Sequence, residues 1–268
     1  MLKIFMGDMP NLMESILYYV KRESHFESLY LCALVSRYWC RISISIFWEN
    51  PFAFRLTKPT FISKYFSSLG EDEKLVLKEC GINKEIPETL FKYARFLKVF
   101  DLDDINYDVE QWVDVPKQSY ARIINLLIKI IVDSRATLYQ LTIINLDIEA
   151  LLGIVKSQQL RRVEIKTTKL RGIISALKYQ TILKEVVVTN CSYIAEFEVL
   201  NNSKYLEILC MRYCNKKLLR TLNCKISTLE ISGLKIEAST IVQILKKSEL
   251  LLQRLKIASI RIILEESL

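Results

Sequence analysis

One spacing of apolar residues recurs seven times along this chain. Each copy has an apolar residue, two variable positions, a second apolar residue, one variable position and a third apolar residue. The copies begin at Leu97, Leu138, Leu160, Leu183, Leu206, Ile226 and Leu252. From Leu138 onward the starts are about 20 to 26 residues apart, which is the period of stacked repeat units that each contain a strand and a helix.

The last two apolar positions of each copy alternate with variable ones, as a short strand with one buried face requires. Helix-like segments lie between the strands, at 147–157, 171–180 and 237–248, and one further helix, at 119–134, fills the long gap after the first copy. No unit can bury its apolar face alone. We therefore expect an α/β fold in which the units stack into a parallel sheet covered by helices on one side.

The position three residues after the last strand residue is Cys191 in one unit and Cys214 in another. This pattern resembles leucine-rich repeats of the cysteine-containing type. The resemblance implies a curved solenoid, with strands on the concave side and helices on the convex side. It also implies an inert structural role for the two cysteines.

The N-terminal segment carries a second pattern. Six residues fall at offsets 0, 3, 4, 7, 8 and 11, which predicts one apolar stripe along a helix: Leu31, Leu34, Val35, Tyr38, Trp39 and Ile42. Before it, Pro10 is suited to the first turn of a helix whose apolar face carries Leu12, Ile16 and Val20. A polar connector separates the two helices, and Trp48 and Pro51 follow the second one.

Together these residues resemble the F-box. Met9-Pro10 stands for its Leu-Pro start, Leu34-Val35-Ser36-Arg37-Tyr38-Trp39 for its core, and Trp48 for its closing tryptophan. Met9 and the slightly long connector depart from the usual form. Residues 50–84 also resemble the junction found in fungal families of F-box proteins with leucine-rich repeats.

The resemblance implies an F-box at 5–50, a helical linker at 51–95 and a repeat solenoid at 96–268, and the sequence leaves open whether that solenoid is truncated at its C-terminus. It implies docking to a Skp-type adaptor and through it to a cullin–RING ligase. We expect Trp48 to pack the F-box against the linker. The candidate adaptor contacts are Pro10, Leu12, Ile16, Leu34, Val35 and Trp39.

The residues do not favour catalysis or a cofactor. His25 is the one histidine, it lies in a polar connector, and six glycines leave little material for a phosphate-binding loop. Cys210 and Cys214 have no second ligand pair at a zinc spacing. No apolar run reaches the length of a membrane span. We therefore expect no enzyme activity, no metal, no cofactor and no membrane partner.

The net charge of +8 is spread along the chain, and the rows of residues expected on the open side of the strands alternate in sign. Mixed charge favours a protein ligand over a nucleic-acid backbone. Lys166, Arg212, Tyr213 and Lys256 are the candidate substrate contacts. We thus expect an intracellular (cytoplasmic or nuclear) substrate receptor of a Skp–cullin–F-box ubiquitin ligase. The alternative is a repeat scaffold unconnected with ubiquitination, and a basic nucleic-acid binder is the weakest of the three.

Overall fold

The computed structural model describes residues 9–23, 26–54, 59–144, 148–166, 172–192, 195–215, 217–221, 226–234, 236–247 and 251–258. It is an α/β structure with one seven-stranded sheet, in which every strand pairs in parallel with the next one along the chain. The strands are β1 (Val99–Asp101), β2 (Gln140–Ile143), β3 (Arg162–Ile165), β4 (Glu185–Thr189), β5 (Ile208–Arg212), β6 (Thr228–Ser232) and β7 (Arg254–Ala258).

Three helices precede the sheet: α1 (Pro10–Glu23), α2 (Phe26–Ala33) and α3 (Arg37–Phe47). Two shorter ones follow, α4 (Ile62–Tyr65) and α5 (Glu71–Glu79), with 3₁₀ turns at Pro51–Phe54, Phe66–Ser68 and Tyr93–Phe96. The helices among the strands are α6 (Leu102–Trp112), α7 (Lys117–Asp133), α8 (Ile148–Ser157), α9 (Ile173–Ala176), α10 (Lys217–Thr221) and α11 (Ala238–Lys247). Two 3₁₀ segments, Leu177–Tyr179 and Ala195–Asn202, take the place of longer helices.

The predicted α/β class and parallel sheet are confirmed. A strand occurs at all seven predicted places, and α7, α8 and α11 coincide with predicted helices. The segment 171–180 differs from the prediction, because its α-helix spans only four residues before it tightens into a 3₁₀ turn. The first unit also differs: Asp101 caps α6 by accepting from the Asp103 N–H at 2.9 Å, so Leu102 begins a helix and β1 is short.

The strands are joined by a backbone pattern that the apolar spacing does not reveal. Before each strand, two successive N–H groups donate to one carbonyl of the preceding unit, as Tyr139 and Gln140 do to the Lys98 carbonyl at 2.9 and 3.2 Å. The accepting carbonyls belong to Glu49, Lys98, Tyr139, Arg161, Lys184, Glu207 and Ser227. The series therefore begins at Glu49, before the first strand, and continues unit by unit to β7.

Two apolar clusters form the core. The larger one lies between the sheet and its helices. It contains inward-facing strand residues and residues of α7 and α8, such as Leu141, Ile143, Val163, Ile165, Leu127 and Leu151. The smaller one belongs to the three N-terminal helices and consists of Met13, Leu17, Leu29, Trp39 and Ile46. Phe47 packs against both clusters. Trp48, the next residue, already belongs to the larger one.

The predicted continuous stripe over residues 31–42 is wrong. Helix α2 ends at Ala33, and Ser36 is extended and caps α3, its Oγ accepting from the Trp39 N–H at 3.2 Å. Serine competes for backbone hydrogen bonds within helices and is favoured at such caps. The break separates the stripe residues, since Leu31, Leu34 and Val35 are exposed whereas Trp39 is buried.

Some of the predictions fall on residues outside the described ranges. These are His25, the start of the F-box assignment before Met9 and the C-terminal segment 259–268. Within the described residues, no helix is both long enough and apolar enough to cross a membrane.

Candidate functional site

Exposed apolar side chains are concentrated on the N-terminal helices. On α1, Leu12, Ile16 and Tyr19 lie at i, i+4 and i+7, which places them on one face of the helix. Met13 and Leu17 face the small core instead and are fully buried. Leu31 on α2 and Leu34 and Val35 in the following turn are also exposed. We call the exposed set Leu12, Ile16, Tyr19, Leu31, Leu34 and Val35 the N-terminal apolar surface.

The predicted adaptor contacts divide into two groups. Pro10, Leu12, Ile16, Leu34 and Val35 are exposed, with Leu34 at 66%. Trp39 is only 9% exposed and packs in the small core, so its side chain supports the surface from beneath. The sequence reasoning missed Tyr19, although its spacing from Leu12 and Ile16 could have shown that it shares their face.

Glu49 ties the N-terminal helices to the sheet. Its carboxylate accepts from the Tyr18 hydroxyl of α1 and lies 3.3 Å from the Lys21 ammonium. Burial, reinforced by the Glu49 carboxylate, raises the pKa of the Tyr18 phenol well above its usual range. The Glu49 carbonyl accepts from the Lys98 and Val99 N–H groups at 2.9 and 3.1 Å. One residue therefore holds α1 through its side chain and β1 through its backbone.

Trp48 fixes the same junction by packing. Its ring contacts Phe61, Tyr65 and Tyr93, with the Tyr93 centroid 3.9 Å away. Phe61 and Tyr65 belong to the segment after α3, and Tyr93 precedes β1. This is the packing of Trp48 against the segment 51–95 that the sequence predicts.

The side of the sheet away from the helices is the second candidate surface. Its central row, paired in register, is Asp101, Thr142, Glu164, Val187, Cys210, Glu230 and Lys256. We call this row, with the rows two positions before and after it and the adjacent Tyr213, the far face. The expectation that the central row is open to solvent is wrong at Thr142, Glu164, Val187 and Cys210, which are at most 8% exposed. Thr142, Val187 and Cys210 have short side chains that do not reach solvent.

The predicted substrate contacts on the far face are not equivalent. Lys166 lies 2.7 Å from the Asp103 carboxylate and 3.6 Å from Glu164. Burial disfavours its ammonium, but these carboxylates outweigh burial, and the pKa of Lys166 is raised. Arg162 extends the network to Glu164 at 3.3 Å and Glu185 at 3.0 Å. Charge at β3 is thus largely neutralised within the chain.

Farther along the far face, the predicted residues are more accessible. Arg212 is exposed, Tyr213 is 61% exposed, and the Lys256 ammonium approaches the Glu230 carboxylate only to 3.9 Å. The ring of Tyr213 lies directly over Gly233, where any Cβ would overlap it. Gly233 also has a φ of 70°, so glycine is required there for two reasons.

The cysteines at the equivalent repeat positions are buried. Each thiol donates to a strand carbonyl of the preceding unit, Cys191 to Ile165 at 3.8 Å and Cys214 to Val188 at 3.3 Å. The contacts between the two side chains lower the pKa of Cys214 to about 7, although burial opposes the shift. In the described part of the chain, no three His, Cys, Asp or Glu side chains are grouped so that they could hold a metal ion.

The chain matches no family model, no curated protein and no solved structure. Any assignment of function therefore rests on the two surfaces and on the residues that form them.

Proposed function

We propose that this chain is the substrate-receptor subunit of a Skp–cullin–F-box ubiquitin ligase. Helices α1 to α3 act as the F-box and bind a Skp-type adaptor through the N-terminal apolar surface. The far face of the sheet binds a protein substrate. The proposal places the chain inside the cell, in the cytoplasm or the nucleus.

One observation carries the proposal: the uneven distribution of exposed apolar side chains. Among the residues that the structure describes, nine of the twenty exposed large hydrophobic ones lie between Met9 and Val35, a small fraction of the chain. Scattered exposed leucines are ordinary, but a concentration of this kind is typical of a surface that another protein covers. The F-box motif falls on the same residues, and its positions Leu12, Ile16, Leu34 and Val35 are among the exposed ones.

The attachment of these helices suits a receptor. A ligase subunit must hold its substrate at a fixed position relative to the adaptor, which requires a stiff connection between the two binding surfaces. Glu49 and Trp48 supply that connection through hydrogen bonds to α1 and β1 and through aromatic packing. A flexible linker would instead have a Gly- or Ser-rich sequence, and residues 51–95 contain no such stretch.

We further propose that the units from β1 to β7 are leucine-rich repeats and that the far face is the concave side of a curved solenoid. The equivalent thiol-to-carbonyl bonds of Cys191 and Cys214 and the recurring paired N–H donors support this assignment. Each unit then contacts only its neighbours, and the far face presents side chains in register.

For the substrate, the accessible part of the far face is the better candidate. Arg212 and Tyr213 combine a charge with an exposed aromatic ring, the residue types that dominate protein interfaces. Lys166 contributes less, because Asp103 already pairs with it. We therefore expect the substrate to lie across β5 to β7 rather than across β3.

A titration with a purified Skp-type adaptor tests the proposal. The wild-type chain is compared with the double variant Leu34→Asp/Val35→Asp, which adds charge to two exposed positions and leaves both apolar clusters intact. Leu90→Asp is the matched control, since Leu90 is 96% exposed and lies outside the N-terminal helices. We expect the wild type and Leu90→Asp to bind equally and the double variant to lose binding.

Absence of binding by a folded wild-type chain would refute the proposal. The remaining function would then be a repeat scaffold whose N-terminal helices assemble with a different protein.

A further inference from the structure

A cavity of ≈ 320 Å³ lies where the N-terminal helices meet the segment that leads to the sheet. Helix α2 contributes Leu29, Tyr30 and Ala33, α3 contributes Phe47, and the other wall includes Trp48, Phe61, Lys64 and Tyr93. Its size is at the lower end of the range of about 300–1,000 Å³ for small-molecule sites. The cavity is separate from the N-terminal apolar surface, because Leu12, Ile16, Leu34 and Val35 do not line it.

The lining is apolar and aromatic apart from a few groups. Phe47, Trp48, Phe61 and Tyr93 form much of the wall. Apolar walls with a small number of placed polar groups are the usual construction of a ligand pocket. Among the described residues that line the cavity, Lys64 alone is charged, and it therefore decides which ligand chemistry fits.

Ser43 does not supply such a polar group. Its side chain is 1% exposed, and its Oγ, which has no hydrogen-bond partner within the described residues, is enclosed so completely that a molecule in the cavity does not reach it.

Lys64 supplies positive charge at the edge of the cavity. Its ammonium lies 5.8 Å from the Trp48 ring centroid and 5.7 Å from that of Tyr93. The side chain is exposed, and no carboxylate of the described residues forms an ion pair with it. An anionic group of a ligand can approach this ammonium while the rest of the molecule stays among the aromatic rings.

We propose that this cavity binds a small amphipathic carboxylic acid. Its carboxylate pairs with Lys64, and its apolar body lies between Phe47, Trp48 and Tyr93. The ligand bridges α2 and α3 to the segment before β1, and its binding stabilises the attachment of the N-terminal helices. The proposal does not depend on the ubiquitin-ligase assignment.

Isothermal titration with decanoate and its relatives tests the site in the full chain. We expect saturable binding of one decanoate per chain, and about fourfold weaker binding for each methylene removed from the acid. Decan-1-ol, which lacks the carboxylate, binds at least tenfold more weakly.

Variants test the role of Lys64. Lys64→Gln weakens decanoate binding about tenfold, Lys64→Arg retains it, and Lys92→Gln, a nearby exposed lysine outside the cavity, leaves it unchanged. Ala33→Trp, at a residue that lines the cavity, fills it and blocks binding.

Leu34→Asp/Val35→Asp leaves decanoate binding unchanged, so failure of this proposal is distinguishable from failure of adaptor docking. Three results would overturn the proposal: no saturable binding to a folded wild-type chain, equal binding of decanoate and decan-1-ol, or equal binding by wild type, Lys64→Gln and Ala33→Trp.

Discussion

Replacing Trp39 with alanine is expected to unfold the N-terminal helices while the sheet keeps its structure. Trp39 is the largest of the five buried residues in the small N-terminal core and is 9% exposed. The larger core extends from Trp48 to the strands and does not include it. The loss should therefore remain local.

The magnitude follows from the buried area. A buried tryptophan removes about 150–250 Å² from water, which at about 25 cal/mol per Å² amounts to about 4–6 kcal/mol as an upper estimate. Measured truncations of buried Phe and Trp to alanine cost about 3–5 kcal/mol. Only four other buried side chains form this core, and they do not compensate for a loss of this size: Met13, Leu17, Leu29 and Ile46.

Hydrogen–deuterium exchange with residue-level resolution is the assay. In Trp39→Ala, amides of α1 and α3 should exchange at near the unfolded rate, whereas β2 to β5 keep wild-type protection. Trp39→Phe should restore most of the protection of α1 and α3. Unchanged protection of α1 in Trp39→Ala would show that Trp39 is not a core residue, and equal loss across the sheet would show that the two clusters fold as one.

Three further predictions concern the junction, pH and the far face. Glu49→Ala removes the acceptor of Tyr18 and should destabilise the attachment of α1 by about 2 kcal/mol, measured by exchange of the α1 amides; wild-type exchange there would contradict the role of Glu49. Burial and then the neighbouring carboxylates raise the pKa of Cys210 to about 11 from 9.0, so between these values the unfolded chain loses the thiol proton and the folded chain keeps it. The free energy of unfolding should therefore fall as pH rises through this window, by about 1 kcal/mol from this group after solvent screening. The urea midpoint should fall between about pH 8 and about pH 10.5, and this fall should be smaller in Cys210→Ala than in the wild type. An equal fall in both would show that Cys210 does not contribute to the pH dependence of stability. Gly233→Ala should cost about 1–3 kcal/mol, because the residue has φ of 70° and its Cβ would overlap Tyr213, and in Tyr213→Ala the same change should cost clearly less; additive costs in the double variant would argue against the overlap.

The repeat could be predicted from sequence because its cause is local. A two-residue alternation places Leu141 and Ile143 on one face of a strand, and the same spacing in the next unit aligns Val163 and Ile165 beside them. The spacing does not predict how deeply the second face of the sheet is buried. Thr142 and Cys210 are variable positions in the pattern, yet both are buried.

The candidate sites were harder to predict because their determinants are distant in sequence. The offsets of residues 31–42 fit a continuous helix, and only the cap at Ser36 divides that stripe into exposed Leu34 and buried Trp39. The cavity brings Phe47 next to Lys64 and Tyr93 through tertiary packing, and no local motif marks it. Glu49 likewise bonds to the start of β1 through its backbone carbonyl. Because every residue type has a backbone carbonyl, the sequence does not mark this role.

The central claim is that the N-terminal apolar surface binds a Skp-type adaptor while the far face remains free for a substrate. An exchange footprint of the chain with saturating adaptor tests it most directly. The account predicts added protection in α1, α2 and the turn at Leu34 and Val35, with no change in β5 to β7. Protection on the far face instead, or no protection anywhere in a folded chain, would contradict it.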